Sequence, residues 1–402
     1  MKPNSIKILH IDSNNPLLWE QLAAAGFQNE ADFTSSKETI EAKIANYHGI
    51  VIRSRFKIDK KFIDKAINLQ FIARVGAGLE SIDCEYAISK NIQLIAAPEG
   101  NSNAVGEQTL GILLSLFNNL NKADKEVKSG QWNRESNRGY ELDGKTVGII
   151  GYGNIGTQLS IMAEAMGMKI QFYDIETKLP LGNAKPAKSI KDIVSSSDII
   201  SLHVPETSQT KNLISAEVIK QFKQGAILIN YARGEVVDLE ALSKAIKSKA
   251  VSGAAIDVYP LEPEKNGDKF ETPMQGLSNV ILTPHIGGST EEAQENIGED
   301  VSIKLYQYLE RGVSNGSHSI PSIGLPPVDG AHRILHIHNN VPGVLSAINT
   351  VMSKNKINIV GQYLKTNDEI GYVVLDVDSK LSKTAIALLK EVKHTIRARM
   401  LY

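Results

Sequence analysis

A glycine-rich stretch at residues 147–156 constrains the fold of this chain more than any other feature. The apolar run from Val147 to Ile150 predicts a buried strand, and Gly151, Gly153 and Gly156 follow it with the spacing G-x-G-x-x-G. We expect Gly151 to make the tight turn, Gly153 to admit a pyrophosphate, and Gly156 to let the next helix pack on the strand. The stretch therefore predicts a phosphate-binding turn at a helix N-terminus.

The residues after this turn decide what kind of nucleotide it would hold. Residues 157–167 have helical apolar spacing and end in Gly167, and residues 169–173 read as a second strand followed by Asp174. A dinucleotide-binding fold places a ribose-binding carboxylate at about this distance from its glycines. Because a carboxylate repels a 2′-phosphate, and no Arg directly follows Asp174, we predict NAD rather than NADP.

Length and charge exclude several classes of protein. The chain has 402 residues, 42% of them hydrophobic, which suggests two or three domains with ample cores. The net charge of −1 does not favour nucleic acid or an anionic membrane as a partner. Cys84, the single cysteine, rules out an internal disulfide and a cysteine-based metal cluster. The sequence shows neither a signal-peptide pattern nor an apolar run of about 18 residues, so a soluble cytoplasmic protein is expected.

Alternating strand and helix patterns predict an α/β protein with more than one domain. We expect a flavodoxin-like domain at residues 1–100, closed by the long helix within 286–312, and a Rossmann-type doubly wound nucleotide domain at 101–285. Residues 313–331 are rich in Gly, Ser and Pro and predict a linker. Residues 332–402 have a βαββαβ pattern, which is typical of a small ferredoxin-like domain.

Three predicted strand ends in the nucleotide domain carry the groups that a hydride transfer needs. Arg233, Glu262 and His285 follow different strands, and ligands of doubly wound sheets bind at these carboxyl ends. A guanidinium can hold a carboxylate and polarise a carbonyl, and a histidine can take the hydroxyl proton of a 2-hydroxy acid. A carboxylate can orient that histidine, as in hydrolase triads. No metal is required.

Each of these residues also has an ordinary structural interpretation. Arg233 could cap a strand, Glu262 could be a solvated loop acid, and His285 could be a hydrogen-bonded turn residue. Their joint occurrence beside a dinucleotide motif favours the catalytic interpretation. Asp257 could line the core, and it could also contact the nicotinamide amide.

The chain resembles the NAD-dependent D-2-hydroxyacid dehydrogenases over essentially its whole length. Within that family it is most similar to the bacterial members that carry a C-terminal ACT domain and act on 3-phosphoglycerate. The segments that carry the resemblance are residues 151–156, 173–174, 201–205, 232–234, 283–290 and 336–345.

This resemblance implies roles for many residues of the two larger domains. It makes Arg233, Glu262 and His285 the catalytic triad. It adds further NAD contacts at Asn154, Ile155, Tyr231, Ala232, Asp257, Gly287 and Gly288. The implied substrate-binding residues are Arg53, Ser54, Arg55, Gly76, Ala77, Gly78, Asn101, Ser102 and Arg134. Arg53 and Arg55 suit a phosphate dianion, although both could be exposed strand-end charge.

For the last domain, the resemblance implies feedback regulation. His338, Asn340 and Asn358 match positions that bind L-serine across an ACT–ACT interface, while a plain dimerisation domain is the alternative. The usual Gly-Gly hinge reads Gly330-Ala331, which would reduce backbone freedom. The resemblance also implies a homotetramer.

Residues 74–78 fit a broader hydroxyacid dehydrogenase pattern, so the substrate stays open. The expected reaction is oxidation of 3-phosphoglycerate to 3-phosphohydroxypyruvate in serine synthesis. A general 2-hydroxyacid, 2-oxoglutarate, hydroxypyruvate or glyoxylate reductase is the alternative. A non-catalytic NAD-sensing corepressor is a more distant one, since such proteins can keep a full triad.

Overall fold

A computed structural model describes residues 5–76, 78–263, 267–326 and 328–401. The chain forms two compact units. The first combines Met1–Gly100 with Gln294–Tyr402, and the second is Asn101–Ala293.

The strands and helices alternate along most of the chain. The strands are β1 (Lys7–His10), β2 (Gln28–Ala31), β3 (Gly49–Ile52), β4 (Phe71–Arg74), β5 (Gln93–Ala96), β6 (Thr146–Ile150), β7 (Lys169–Tyr173), β8 (Lys185–Pro186), β9 (Ile199–Leu202), β10 (Ala226–Asn230), β11 (Val251–Ile256), β12 (Val280–Leu282), β13 (Ala331–Asn339), β14 (Ile359–Thr366), β15 (Ile370–Asp378) and β16 (Thr395–Met400). The helices are α1 (Pro16–Ala24), α2 (Lys37–Lys43), α3 (Lys60–Lys65), α4 (Cys84–Ser89), α5 (Ser102–Phe117), α6 (Leu120–Lys128), α7 (Asn154–Ala165), α8 (Ile190–Ser196), α9 (Ala216–Ile219), α10 (Leu239–Lys247), α11 (Glu291–Arg311), α12 (Val344–Lys354) and α13 (Ser382–Lys390).

The first unit contains a parallel sheet in the order β2-β1-β3-β4-β5, which is the flavodoxin-like order. Strand β3 is fully buried, as expected for a parallel strand covered on both faces. Strand β2 has no counterpart among the expected elements, because its sequence Gln-Asn-Glu-Ala is polar and largely exposed at the sheet edge. Side chains cap the nearby helices α1, α2 and α3, through Asn15, Ser36 and Asp59.

The first unit also contains an antiparallel sheet in the order β14-β15-β13-β16, covered by α12 and α13 on one face. This is the expected βαββαβ arrangement. The other face of β13 and β15 contributes Leu335 and Tyr372 to a core that includes Tyr308 and Leu309 of α11. The small sheet therefore shares a hydrophobic core with the long helix.

The Gly/Ser/Pro-rich segment between α11 and β13 is ordered against β5. The amide of His318 donates to the carbonyl of Leu94 at 3.0 Å, and Ser319 Oγ accepts from the amide of Leu94 at 3.0 Å. Ser319 Oγ also donates to the Gln93 side chain at 2.7 Å. Composition alone predicts a linker here, whereas the structure shows hydrogen bonds along the sheet edge.

The second unit is built on a parallel sheet in the order β12-β11-β10-β9-β6-β7-β8. The strand order reverses at β6, which pairs with β7 on one side and β9 on the other. Ligands of doubly wound sheets bind at such a switch point. The predicted α/β class, with a Rossmann-type domain and a ferredoxin-like C-terminal domain, is confirmed. Within the described residues, no helix is both long enough and apolar enough to cross a membrane.

Candidate active site

The glycine turn between β6 and α7 has the geometry that its sequence predicts. Gly151 has a φ of +93°, and a Cβ at this position would lie 2.4 Å from the carbonyl oxygen of His203. A Cβ on Gly156 would lie 2.2 Å from the carbonyl oxygen of Gly151. A Cβ on Gly153, by contrast, would meet nothing within 4 Å. Gly151 and Gly156 therefore serve the chain's own packing, and the space above Gly153 suits a pyrophosphate.

The N-terminus of α7 is open in the same way. Gly153 is its N-cap, and no side chain accepts from the first amides of the helix, which begins at Asn154 and Ile155. Asp174 follows β7, with Oδ2 accepting from the amide of Tyr152 at 2.8 Å and Oδ1 from the amide of Glu176 at 2.9 Å. The carboxylate thus lies beside the glycine turn. These residues fit NAD, with the pyrophosphate at the helix amides and the ribose at Asp174.

His203, after β9, supports this turn and was not expected as a functional residue. Its Nε2 is 2.8 Å from Ser201 Oγ, and burial lowers the pKa of His203 to about 3. The imidazole is therefore neutral at physiological pH. Its backbone carbonyl is the atom that requires glycine at position 151. The motif Ser-Leu-His-Val-Pro was the available signal.

The structure brings His285 and Glu262 together in the second unit. His285 Nδ1 is 2.8 Å from Glu262 Oε2, and Glu262 Oε1 accepts from the amide of Tyr259 at 3.1 Å. A carboxylate only accepts, so Nδ1 carries the proton and Nε2 is left as the basic nitrogen. The Tyr259 hydroxyl lies 3.0 Å from the carbonyl oxygens of both Ile256 and Thr283, which ties the two loops together. Sequence reasoning missed Tyr259, because its contribution is partly through backbone.

The pairing with Glu262 makes His285 more basic than a free imidazole. The hydrogen bond to Glu262 raises the pKa of His285 above 6.5, although burial opposes it. Burial alone would raise the pKa of Glu262, but the hydrogen bond and charge of His285, the Tyr259 amide and Arg233 together lower it. The positive charge of Arg233 also acts on His285, which places the guanidinium within electrostatic reach of both partners. The three predicted triad residues therefore lie within electrostatic reach of one another, and two of them are hydrogen-bonded.

Asp257 organises the turn that carries His285. Its Oδ1 accepts from Thr283 Oγ1 at 2.6 Å and from the amide of Ile286 at 2.8 Å, and its Oδ2 accepts from the amide of Gly287 at 2.8 Å. His285 itself has a φ of +55°, a left-handed conformation that costs energy for a residue with a Cβ. The buried carboxylate of Asp257 fixes the amides on the C-terminal side of this strained residue. This is a structural role beside the nicotinamide contact that the sequence suggests.

The other predicted cofactor residues line the same strand ends. Tyr231 and Ala232 are buried after β10. A Cβ on Gly287 would lie 2.7 Å from the Tyr231 ring, and a Cβ on Gly288 would lie 2.5 Å from Asn101 Nδ2. Asn101 is the N-cap of α5 and precedes Ser102. Arg134 is exposed.

Two arginines after β3 in the first unit have different surroundings. Arg55 Nη1 donates to the carbonyls of Ile11 and Asp32, each at 2.8 Å, and its Nη2 donates to that of Ser35. Arg53 Nη2 instead donates to the side chain of Gln294 at 2.6 Å. Asp12 Oδ2 accepts from the amide of Arg53 at 2.6 Å and so helps to hold this turn. Ser54 is exposed between them.

A third arginine of the first unit was not expected to be functional. Arg74 ends β4 in register with Ile52 of β3, the residue before Arg53. Its Nη1 donates to the carbonyl of Val75 at 2.7 Å, and the guanidinium lies over Gly76. The signal available in the sequence was its position at a strand end beside a glycine turn. Gly78 is half-buried, and Ala77 lies outside the described residues.

The predicted effector residues lie at two opposite ends of the antiparallel sheet, with His338 and Asn340 at the end of β13 and Asn358 just before β14, beside the start of β13. His338 is buried and in register with Gly371, and Asn340 Nδ2 donates to the carbonyl of Asn367 at 2.6 Å. Asn358 is exposed, and its carbonyl accepts from the amide of Asp378 at 3.4 Å. Among the residues that the structure describes, no three His, Cys, Asp or Glu side chains are grouped as metal ligands.

Comparison with known proteins identifies the class. Residues 110–287 match the NAD-binding domain of D-isomer specific 2-hydroxyacid dehydrogenases, and residues 334–397 match the ACT domain of the AHAS small-subunit type. The chain belongs to the D-isomer specific 2-hydroxyacid dehydrogenase family. It is accordingly an NAD-dependent oxidoreductase with a C-terminal ACT-like domain.

Relatives with full-length similarity share one name. The chain is 44% identical over 401 residues to the D-3-phosphoglycerate dehydrogenase of Haemophilus influenzae, covering 99% of this chain and 98% of that one. It is 42% identical over 407 residues to the enzyme of that name from Escherichia coli, covering 100% and 99%. A solved D-lactate dehydrogenase from Aquifex aeolicus, complexed with NAD and lactic acid, superposes with a TM-score of 0.69 at 26% identity, covering 79% of this chain and all of that one.

Proposed function

We propose that this chain is a D-3-phosphoglycerate dehydrogenase, which oxidises 3-phosphoglycerate to 3-phosphohydroxypyruvate with NAD at the start of serine synthesis. The observation that carries the chemistry is the His285–Glu262 pair with Arg233 within electrostatic reach. The full-length relatives of that name support the choice of substrate.

The dyad performs the proton half of the reaction. NAD, when bound, supplies the acceptor for the hydride that leaves C2 with its electron pair. His285 Nε2 takes the proton of the C2 hydroxyl, so that the C–O bond becomes a carbonyl. Glu262 stabilises the imidazolium that results. Arg233 holds the carboxylate and polarises the forming carbonyl through its N–H groups. In the reverse direction, the protonated His285 returns the proton to the carbonyl oxygen.

The arginines of the first unit provide the argument for a phosphorylated substrate. We assign the phosphate to Arg53, with Arg74 at the end of the adjacent strand as a second cation. The Arg55 guanidinium donates to three backbone carbonyls, so we propose that Arg55 stabilises the turn and does not bind the phosphate. Backbone amides at residues 76 and 78, with Asn101 and Ser102, remain the proposed carboxylate contacts.

A direct comparison of substrates tests this assignment. We expect phosphohydroxypyruvate to be reduced with a higher kcat/KM than hydroxypyruvate, glyoxylate or 2-oxoglutarate. If one of the unphosphorylated acids is preferred, the chain is a general 2-hydroxyacid reductase and the role of Arg53 is refuted. NADH binding with no turnover of any of these acids would instead favour the corepressor.

Serine is proposed as an inhibitor that binds at His338, Asn340 and Asn358. The support is the ACT-like fold of residues 334–397. Because His338 and Asn340 lie at the end of β13 and Asn358 lies at the opposite end of the sheet, the proposed site combines residues of two chains. The pair Gly330-Ala331, at the start of β13, is proposed as the connection that transmits serine binding to the rest of the chain, with Gly330 in a left-handed conformation at a φ of +75°.

A homotetramer in the cytoplasm is proposed as the assembly. Helix α6 and the segment after it leave large apolar side chains exposed in the second unit, including Leu120, Val127, Trp132 and Tyr140. Such a surface supports pairing of two copies. Sedimentation would show a tetramer, and Val127→Glu should reduce it to a smaller species; a monomeric wild-type protein would refute the proposal.

A further inference from the structure

The turn that follows β7 carries three charged residues at the ribose end of the cofactor site. Asp174 is the carboxylate that we expect to bind the ribose, and its Oδ1 accepts from the amide of Glu176 at 2.9 Å. Its Oδ2 accepts from the amide of Tyr152 in the glycine turn. The backbone of Glu176 is therefore held directly against the group that recognises the ribose. Charges on this turn are close enough to affect which nucleotide is bound.

Lys178 places a cation on this turn. Its Nζ donates to Glu176 Oε2 at 2.5 Å, and the two side chains are 32% and 71% exposed. The hydrogen bond to Glu176 raises the pKa of Lys178, and the negative charge of Asp174 acts in the same direction. The ammonium is thus within electrostatic reach of Asp174 while it is paired with Glu176. Binding of the ribose by Asp174 requires neither Glu176 nor Lys178, so the ion pair between them needs another explanation.

We propose that Lys178 is a latent ligand for the 2′-phosphate of NADP, and that Glu176 enforces the preference for NAD by holding the ammonium in an ion pair. A 2′-phosphate bound at this end of the site meets two carboxylates and a cation that is already neutralised. Cofactor choice is then set by Asp174 and Glu176 together.

The physical basis is local charge. The three side chains carry a net charge of −1, which opposes a 2′-phosphate and tolerates two ribose hydroxyls. Replacing Glu176 with Gln makes the turn neutral and releases Lys178 from its partner. An ammonium contacts phosphate as a point charge, so it needs no special geometry to make this contact. Because the ion pair is exposed, its loss leaves the fold intact.

The experiment is a double-mutant cycle of Glu176→Gln and Lys178→Gln in the full-length protein. Binding of 2′,5′-ADP and of 5′-ADP is measured by calorimetry, and kcat/KM is measured with NADPH and NADH. We expect Glu176→Gln to tighten 2′,5′-ADP about fivefold, as one exposed ion pair allows, and to raise the NADPH/NADH ratio similarly. Binding of 5′-ADP should not change. Adding Lys178→Gln should abolish the gain.

A matched control separates a ligand from a general change in charge. Glu217 is exposed and pairs with Lys220 at 3.0 Å, so Glu217→Gln removes the same charge from a similar ion pair elsewhere in the same unit. This variant should leave both nucleotides unaffected. If Glu217→Gln tightens 2′,5′-ADP equally, or if the gain from Glu176→Gln persists without Lys178, the proposal is overturned. It is also overturned if Glu176→Gln tightens nothing.

Discussion

His285 Nδ1 lies 2.8 Å from Glu262 Oε2, and this contact sets both the tautomer and the basicity of the proposed catalytic histidine. The backbone amide of Tyr259 holds the second oxygen of the same carboxylate. Glu262 therefore orients His285, and the Tyr259 amide in turn holds Glu262 in place. The pH dependence of the reaction should report this arrangement directly.

Glu262→Gln should move the pH profile to lower pH. Oxidation of the hydroxyacid needs neutral His285, so kcat/KM falls as the pH drops through the pKa of that residue. Glu262 raises the pKa above 6.5 by a hydrogen bond and by its charge. Removing the charge should lower the pKa, so that oxidation persists to lower pH and reduction of the oxoacid is lost at lower pH. Glu271→Gln, which changes an exposed acid paired with Lys269, is the control. Identical profiles for Glu262→Gln and wild type would contradict the proposed role.

Replacement of His285 should separate chemistry from cofactor binding. Because this residue has a φ of +55°, Asn is the suitable substitute, since Asn tolerates the left-handed conformation and Ala does not. We expect His285→Asn and His285→Ala to lower kcat by roughly 10²- to 10⁴-fold, the usual contribution of a general base. NADH affinity, measured by fluorescence, should stay nearly constant in His285→Asn. An equal loss of kcat and NADH affinity in that variant would argue against catalysis by His285.

Arg53 and Arg55 should respond differently to the same substitution. Arg53→Gln should raise KM for 3-phosphoglycerate about 10- to 100-fold, because it removes a charge-assisted hydrogen bond to phosphate. KM for an unphosphorylated acid should change little. Arg55→Gln removes the donors to three carbonyls, and a loss of about 2 kcal/mol would lower Tm by roughly 4 to 8 °C. If Arg53→Gln instead lowers Tm and spares KM, the assignment of the phosphate is wrong.

Two alanine substitutions in the glycine turn should have separable effects. Gly153→Ala introduces a methyl group into open space, so the protein should fold normally. NAD should bind roughly tenfold more weakly, because the methyl group occupies the space in which the pyrophosphate approaches the backbone. Gly156→Ala places a methyl group 2.2 Å from a backbone carbonyl, and such overpacking costs about 1–3 kcal/mol. Calorimetric unfolding and NADH titration of both variants measure the two effects. If Gly153→Ala binds NADH as tightly as the wild type, the pyrophosphate does not lie at Gly153.

Serine inhibition should depend on His338 and not on the catalytic dyad. His338→Ala should raise the concentration of serine needed for half inhibition about five- to tenfold, since one hydrogen bond contributes about 1–1.5 kcal/mol. Activity without serine should be unchanged. His332→Ala, at the opposite end of β13 and bonded to Ser382, is a control on the same strand. If serine does not inhibit the wild-type protein, the C-terminal domain serves only for dimerisation.

Most of the second unit could be predicted from local sequence. Apolar runs, glycine spacing and the residue after each strand were enough to indicate the dinucleotide turn, Asp174 and the three catalytic candidates. The predictions were weaker for residues that act through their backbone groups and for the strand at the exposed edge of a sheet. Strand β2 is polar because it is an exposed edge, so it has no hydrophobic pattern to detect. Tyr259 donates its backbone amide to Glu262, and a backbone hydrogen bond leaves no pattern in the side-chain sequence.

The first unit shows why composition misleads. The Gly/Ser/Pro-rich segment has the composition of a flexible linker, yet its serines and amides pair with β5. Arg53 and Arg55 are chemically identical and two residues apart. Only the partners show that Arg55 is engaged by three carbonyls whereas Arg53 Nη2 meets the Gln294 side chain, which is distant in the chain.

The sequence by itself determined the class of fold, the cofactor and the candidates for catalysis, because these depend on short-range patterns of glycine, apolar periodicity and strand ends. The tertiary structure decided how those side chains are poised. The pairing of His285 with Glu262, the hold of Asp257 on a strained turn, and the ion pair of Lys178 beside Asp174 depend on distances between atoms. Such distances come from the packing of strands and loops, which no local pattern in the chain specifies.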